Sequence, residues 1–192
     1  MSTKLPDDSE DYSWDFYTYP IDAPASAFAE FAPMIDLWRS KCRDGARYPA
    51  WRDFELLDFE GWWGQLALGE IDEVNGSVVF VLWGTQLTTW WGLDLTQKNI
   101  VLISSLKSPA YEAQIDYYRA MFSGERIGFN SGTMESSDRP FLRVKMIELP
   151  LSNNGETPTH IFSVAAPVDF DDQSSPSIAA LPIPQISTSD ES

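Results

Sequence analysis

Apolar residues recur at steps of three and four from Phe28 through Phe31, Ile35 and Trp38 to Cys42, the stripe of an amphipathic helix. Pro33 divides that helix, because proline suits a first turn but removes a donor from an interior. Gly45, after the basic run Arg39–Arg43, reads as its C-cap. Beyond Pro49, residues Asp53–Glu60 read as a short amphipathic turn or helix that stops at Gly61. The period then changes. Gln65–Glu73 and Ser77–Trp83 read as strands joined through Asn75-Gly76, the strongest short signal for a tight two-residue turn. Thr85–Trp91 reads as a short helix that Gly92 ends, with 93–105 irregular or partly helical. Ser108-Pro109 opens a helix over 110–122, because Ser caps and Pro suits the first position. Its stripe is Tyr111, Ile115, Tyr118 and Phe122, with Gln114, Tyr117 and Met121 on an adjoining face, and Gly124 ends it. Three strands follow at about 126–136, 140–150 and 159–167. In the second, Leu142, Val144 and Met146 alternate with Arg143 and Lys145, which predicts one buried and one wet face. Gly124, Gly128 and Gly132 predict a bulge or a close backbone approach.

The run Val78–Trp83 breaks the alternation, since six consecutive apolar residues need cover on both faces. The helical excursion after Gly84-Thr85 covers one face. The helix over 28–42, or a second subunit, covers the other. On the excursion, Trp90 closes the interior and Trp91 faces the rim or a partner.

Hairpin, helical excursion and three-stranded meander predict an α+β fold: a five-stranded antiparallel sheet with helices on one face and the N-terminal helix on the other. One domain spans 25–170. Residues 1–24 read as a flexible acidic arm, and 171–192 as a disordered Ser/Pro-rich acidic tail.

Charge narrows the function. The net charge is -16 over 192 residues; residues 1–15 hold five acids and one Lys, residues 171–192 four acids and no base, leaving -8 between them. An acidic body repels phosphate backbones and anionic lipid, so neither nucleic acid nor membrane is an expected partner. A single cysteine, no basic-then-apolar leader and no membrane-length apolar run predict a soluble cytoplasmic protein.

Four pieces carry a resemblance to a known family. These are Leu37-Trp38-Arg39-Ser40 with Tyr48-Pro49-Ala50-Trp51-Arg52-Asp53-Phe54; Phe80–Thr85 followed by Gly92-Leu93-Asp94-Leu95-Thr96-Gln97-Lys98; Tyr117-Tyr118-Arg119; and Glu148-Leu149-Pro150-Leu151-Ser152-Asn153-Asn154-Gly155. In order and spacing the chain resembles the bacterial PAS-like proteins of the PAS_5 group over about residues 33–168. It departs at Gln97, where the group has Gly, and in its eight tryptophans. The resemblance implies a small sensory or interaction module with no catalytic residues to carry over.

Candidate chemistry agrees with a non-enzymatic reading. His160 and Cys42 stand alone on distant elements, so no nucleophile–base pair or metal set is built from them. The acid pairs Asp53/Glu55, Asp58/Glu60 and Asp72/Glu73 sit at loop and strand margins and read as a solvated face. Two other readings stay open. Phe80, Trp90, Tyr118, Met121, Phe129, Met146 and Phe162, with Thr85 and Gln114 as polar groups, line a pocket for a small apolar or aromatic ligand, or simply fill a core. Phe31, Ile35, Trp38, Trp62 and Trp63 form an interface with a second copy or another protein. No cofactor is indicated.

Overall fold

The computed structural model describes residues 14–99, 109–136, 139–168 and 176–184. Its centre is one antiparallel sheet of six strands in the order β1-β4-β5-β6-β2-β3. The strands are β1 (Trp14–Pro20), β2 (Leu66–Asp72), β3 (Ser77–Trp83), β4 (Arg126–Ser136), β5 (Arg139–Leu151) and β6 (His160–Val168). Helix α1 spans Ala32–Ser40, α2 Thr85–Trp91 and α3 Pro109–Phe122. Short 3-10 segments occupy Ala25–Phe31, Trp51–Asp53 and Leu56–Phe59.

Local chemistry sets each corner. The β2–β3 loop holds four residues rather than the two expected from Asn75-Gly76. Asp72 accepts from the Asn75 side-chain amide at 2.6 Å and its backbone N–H at 3.2 Å, while Gly76 takes φ +61°. Leu68 faces Leu82 but Gly69 faces Phe80, so Val81 is the extra residue of a bulge. Gly84 turns β3 into α2 where a Cβ would lie 2.2 Å from the Gly64 carbonyl oxygen. Gly92, at φ +67°, ends α2 as its left-handed cap.

Strand β6 pairs with both β5 and β2, which joins the hairpin to the meander and divides the apolar material into two cores. The inner core holds Phe80, Trp83, Leu87, Trp90, Tyr117, Tyr118, Met121, Val144 and Met146 beneath α2 and α3. The outer core packs Phe28, Phe31, Ile35, Trp38 and Phe59 onto Phe129, Ile147, Leu149, Phe162 and Val164. The cover expected on both faces of Val78–Trp83 is found on one only: Val78, Phe80 and Trp83 turn inward, whereas Val81 and Leu82 stay exposed because α1 packs over the other strands instead of β3.

Several expectations change. The sheet has six strands, not five, because Trp14–Pro20 of the expected flexible arm pairs antiparallel with β4. Trp14 lies across from Gly132, where a Cβ would come within 2.3 Å of its ring, so the missing side chain seats the indole. Residues 1–13 of that arm lie outside the described residues, as do 100–105 of the excursion and 171–175 and 185–192 of the expected tail. Residues 176–184, read as disordered tail, dock on the body: Ser177 N–H donates to the Ala27 carbonyl of the 3-10 segment and Leu181 N–H to the Thr18 carbonyl of β1. The face of β5 expected to be wet is covered by the Ala25–Phe31 segment. Lys145 is buried there, 2.7 Å from Glu30.

Candidate functional site

Across the inner face, Gly128, Glu148 and Ser163 stand in register on β4, β5 and β6. Glu148 continues the inward alternation of Val144 and Met146, so backbone parity puts a carboxylate inside an apolar layer. Helix α3 crosses above and drops two phenols onto it. Tyr117 donates to Glu148 Oε2 at 2.5 Å, and Tyr118 and Ser163 donate to Oε1 at 3.3 Å each. Asn130 Nδ2 donates to the Tyr117 oxygen at 3.5 Å, extending the chain of polar groups. Gly128 makes the approach possible, since a Cβ there would sit 2.1 Å from the Tyr117 hydroxyl.

Every member of this cluster is buried, and no cation is among these contacts of Glu148. Burial raises the Glu148 carboxyl to about 7, although the three hydroxyl donors act in the opposite direction. Burial, and then the neighbouring carboxylate, push both phenols well above their ordinary range. The arrangement is suited to holding a proton on Glu148. A nucleophile–base pair does not arise from it, because hydroxyls held this far above 10 do not ionise near neutrality. Two polar atoms of the same interior, Asn130 Oδ1 and Trp83 Nε1, have no hydrogen-bond partner.

Of the residues expected to line a pocket, Phe80, Trp90, Tyr118, Met121 and Met146 meet in the inner core. Gln114 lies half-buried on α3, and Thr85 is exposed at the start of α2. Phe129 and Phe162 belong to the opposite face. Each sits one residue from an inward neighbour, and a step of one residue reverses the direction in a strand. Phe162 instead packs under the rings of Trp51, Phe54 and Phe59, with centroids 5.3–6.0 Å away. Two depressions lie outside the inner core. One, of about 10 Å³ between Phe28, Phe129, Lys145 and Pro176, has room for about one water. The other is a shallow opening of about 290 Å³ at Gly61–Gln65, Thr85 and Gln86.

That opening borders an apolar ledge. Leu56 and Leu57 are 74% and 72% exposed and Trp63 48%, and the Trp63 indole N–H donates to the Leu56 carbonyl at 2.9 Å. The ledge is held from below. Phe59 is buried in the aromatic stack, and Asp58 accepts from Glu55 N–H at 2.6 Å and pairs with Lys41 at 2.6 Å. With Phe59 anchored inward, the preceding leucines are turned to solvent. The interface expected at Phe31, Ile35 and Trp38 is corrected: all three are buried against the sheet, with the Trp38 indole donating to the Pro150 carbonyl at 2.8 Å. Trp62 is half-buried against Phe31, so Trp63 is the most exposed member of the expected set.

The remaining candidates have structural roles. Trp91 reaches the rim, edge-on to Trp83 and 6.0 Å from Trp14. His160, its pKa lowered by burial, approaches Thr159 Oγ1 at 2.9 Å. Asp53 accepts from Ala50 N–H and pairs with Arg43, while Asp72 holds the hairpin loop. No group of three or more metal-ligating side chains occurs among the described residues, and no helix there is long and apolar enough to cross a membrane. Compared with known proteins, the chain matches no family model, no curated protein and no solved structure.

Proposed function

We propose that the chain is a non-enzymatic regulatory module of PAS-like architecture that works in the cytoplasm through protein association, with the Leu56–Leu57–Trp63 ledge as its contact face. The hairpin, excursion and meander gathered around β6 support the architectural part. The ledge carries the functional part. Three large apolar side chains stand exposed together on a buried anchor, whereas the inner core is occupied by the protein's own side chains. Exposed apolar clusters of this kind mark interaction sites, and tryptophan is a frequent anchor in them. Sedimentation velocity over a concentration series tests the homotypic form. The expected result is a reversible rise in mass that Trp63→Glu and Leu57→Glu each abolish without unfolding the chain. A chain that stays monomeric to about 1 mM, beyond weak-contact affinities, contradicts it.

A second reading, a sensor of a small ligand, is favoured by one observation. Asn130 Oδ1 and Trp83 Nε1 offer an unpaired acceptor and an unpaired donor inside the inner core. A ligand pairing with either would raise the melting temperature by mass action. A broad screen of small aromatic compounds with no shift counts against this reading.

A further inference from the structure

The segment 176–184 occupies the one edge of β1 that β4 does not use. Leu181 N–H donates to the Thr18 carbonyl at 2.6 Å, and Thr18 and Leu181 form an antiparallel bridge. Because alternate residues of a strand turn their backbone groups to opposite edges, Trp14 and Phe16 face the same free edge as Thr18. Two residues beyond Leu181, Ile183 packs against the inner core, as does Phe16 of β1. Ile178 crosses to the outer core. Arg126 fastens the crossing, donating from Nη1 to Thr18 Oγ1 at 2.7 Å and to the Pro182 carbonyl at 3.1 Å.

The prolines are placed for such an edge. Pro182 and Pro184 follow Leu181 and Ile183, and the Pro182 carbonyl is already taken by Arg126. Neither proline has an N–H to offer a further strand, which blunts this edge. The attachment is also light: one backbone hydrogen bond between described residues joins the segment to β1, and its isoleucines are only half-buried.

We propose that the free edge of β1 is a peptide-binding edge for an extended segment with apolar residues spaced as in Ile178, Leu181 and Ile183 and proline after the last two. In the single chain, residues 176–184 fill it as an exchangeable strap. Its occupant in trans is the same segment of a second copy, admitted only once the chain's own strap has been released, so the ledge alone sets association of the unaltered protein. This contact is separate from the Leu56–Leu57–Trp63 ledge and does not depend on it.

The test uses a fluorescein-labelled peptide of residues 174–186 and two full-length proteins, the unaltered chain and a strap-released Leu181→Asp/Ile183→Asp variant. Fluorescence anisotropy should show saturable binding to the released variant. Binding to the unaltered chain should be at least about tenfold weaker, because a tethered competitor acts at high effective concentration. A peptide with Ile183→Asp should not bind. If circular dichroism shows the aspartate variant unfolded, Leu181→Ala/Ile183→Ala replaces it. A folded, released variant that fails to bind the peptide overturns the proposal. So does binding that is equal for both proteins, or indifferent to the aspartate in the peptide.

Discussion

Tyr117 donates its hydroxyl to Glu148 at 2.5 Å inside a layer from which both are shut off from solvent. The pair ties α3 to the centre of the sheet with a polar bond in an apolar setting. There an unpaired partner costs more than the bond contributes. Tyr117→Phe leaves Glu148 Oε2 and Asn130 Nδ2 without the partner Tyr117 gave them, so we expect a loss of about 1–3 kcal/mol in urea unfolding. The same change removes a donor that holds the Glu148 pKa down. In the variant that carboxyl should titrate above its position in the unaltered protein.

Glu148 makes stability depend on pH in a defined direction. Its folded pKa, about 7, lies above the ordinary 4.5. The folded state therefore binds the proton more tightly, and this contribution is fully present below about 4.5 and lost as pH rises through about 7. The span corresponds to about 3 kcal/mol. Glu148→Gln cannot ionise, so its stability relative to the unaltered protein should improve by roughly that amount from pH 4 to pH 8. Denaturant midpoints of the two proteins, measured in parallel, cancel His160 and the acidic surface. A difference that is flat with pH would refute the assignment.

Two of the tryptophans expected at an interface should behave oppositely. Trp38 is buried and hydrogen-bonded to the Pro150 carbonyl, so Trp38→Ala should cost about 3–5 kcal/mol. Trp63 stands on the ledge, and Trp63→Glu should change stability by about 0.5 kcal/mol or less while abolishing association. Thermal melts beside sedimentation separate the two effects. Equal destabilisation by both variants would place Trp63 in the core.

Gly84→Ala tests the corner between β3 and α2. A Cβ there meets the Gly64 carbonyl carbon and oxygen at 2.6 and 2.2 Å, and backbone cannot yield as a side-chain tip does. The expected cost is about 2–3 kcal/mol, read from urea unfolding. A neutral substitution would show that the two segments do not pack this closely.

Much of this architecture is visible in the chain's own pattern. Alternation located β4, β5 and β6 to within a residue or two, and Gly84, Gly92 and Gly124 marked where elements turn. Gly128 and Gly132 announced the close approaches that Tyr117 and Trp14 make. The candidate site was harder to read. Leu142, Val144 and Met146 announce an inward parity, and Glu148 two residues on keeps it. A charged residue at an apolar parity is the signal that would have found the cluster. Phe129 and Phe162 were misplaced because aromatic character says nothing of direction in a strand, whereas parity does. Trp14–Pro20 escaped because acids surround it and its partner strand lies more than a hundred residues away. The ledge was half legible: Gly61 and Gly64 flank Trp62-Trp63, but only the fold shows that Phe59 turns inward and leaves Leu56 and Leu57 outside.

The central claim is that the interior is filled by the chain's own side chains and that the protein acts at its surface. Native mass spectrometry of freshly purified protein tests it most directly. The account predicts masses of one and two bare polypeptides, with the second species absent in Trp63→Glu. A small molecule retained one per folded chain would contradict it.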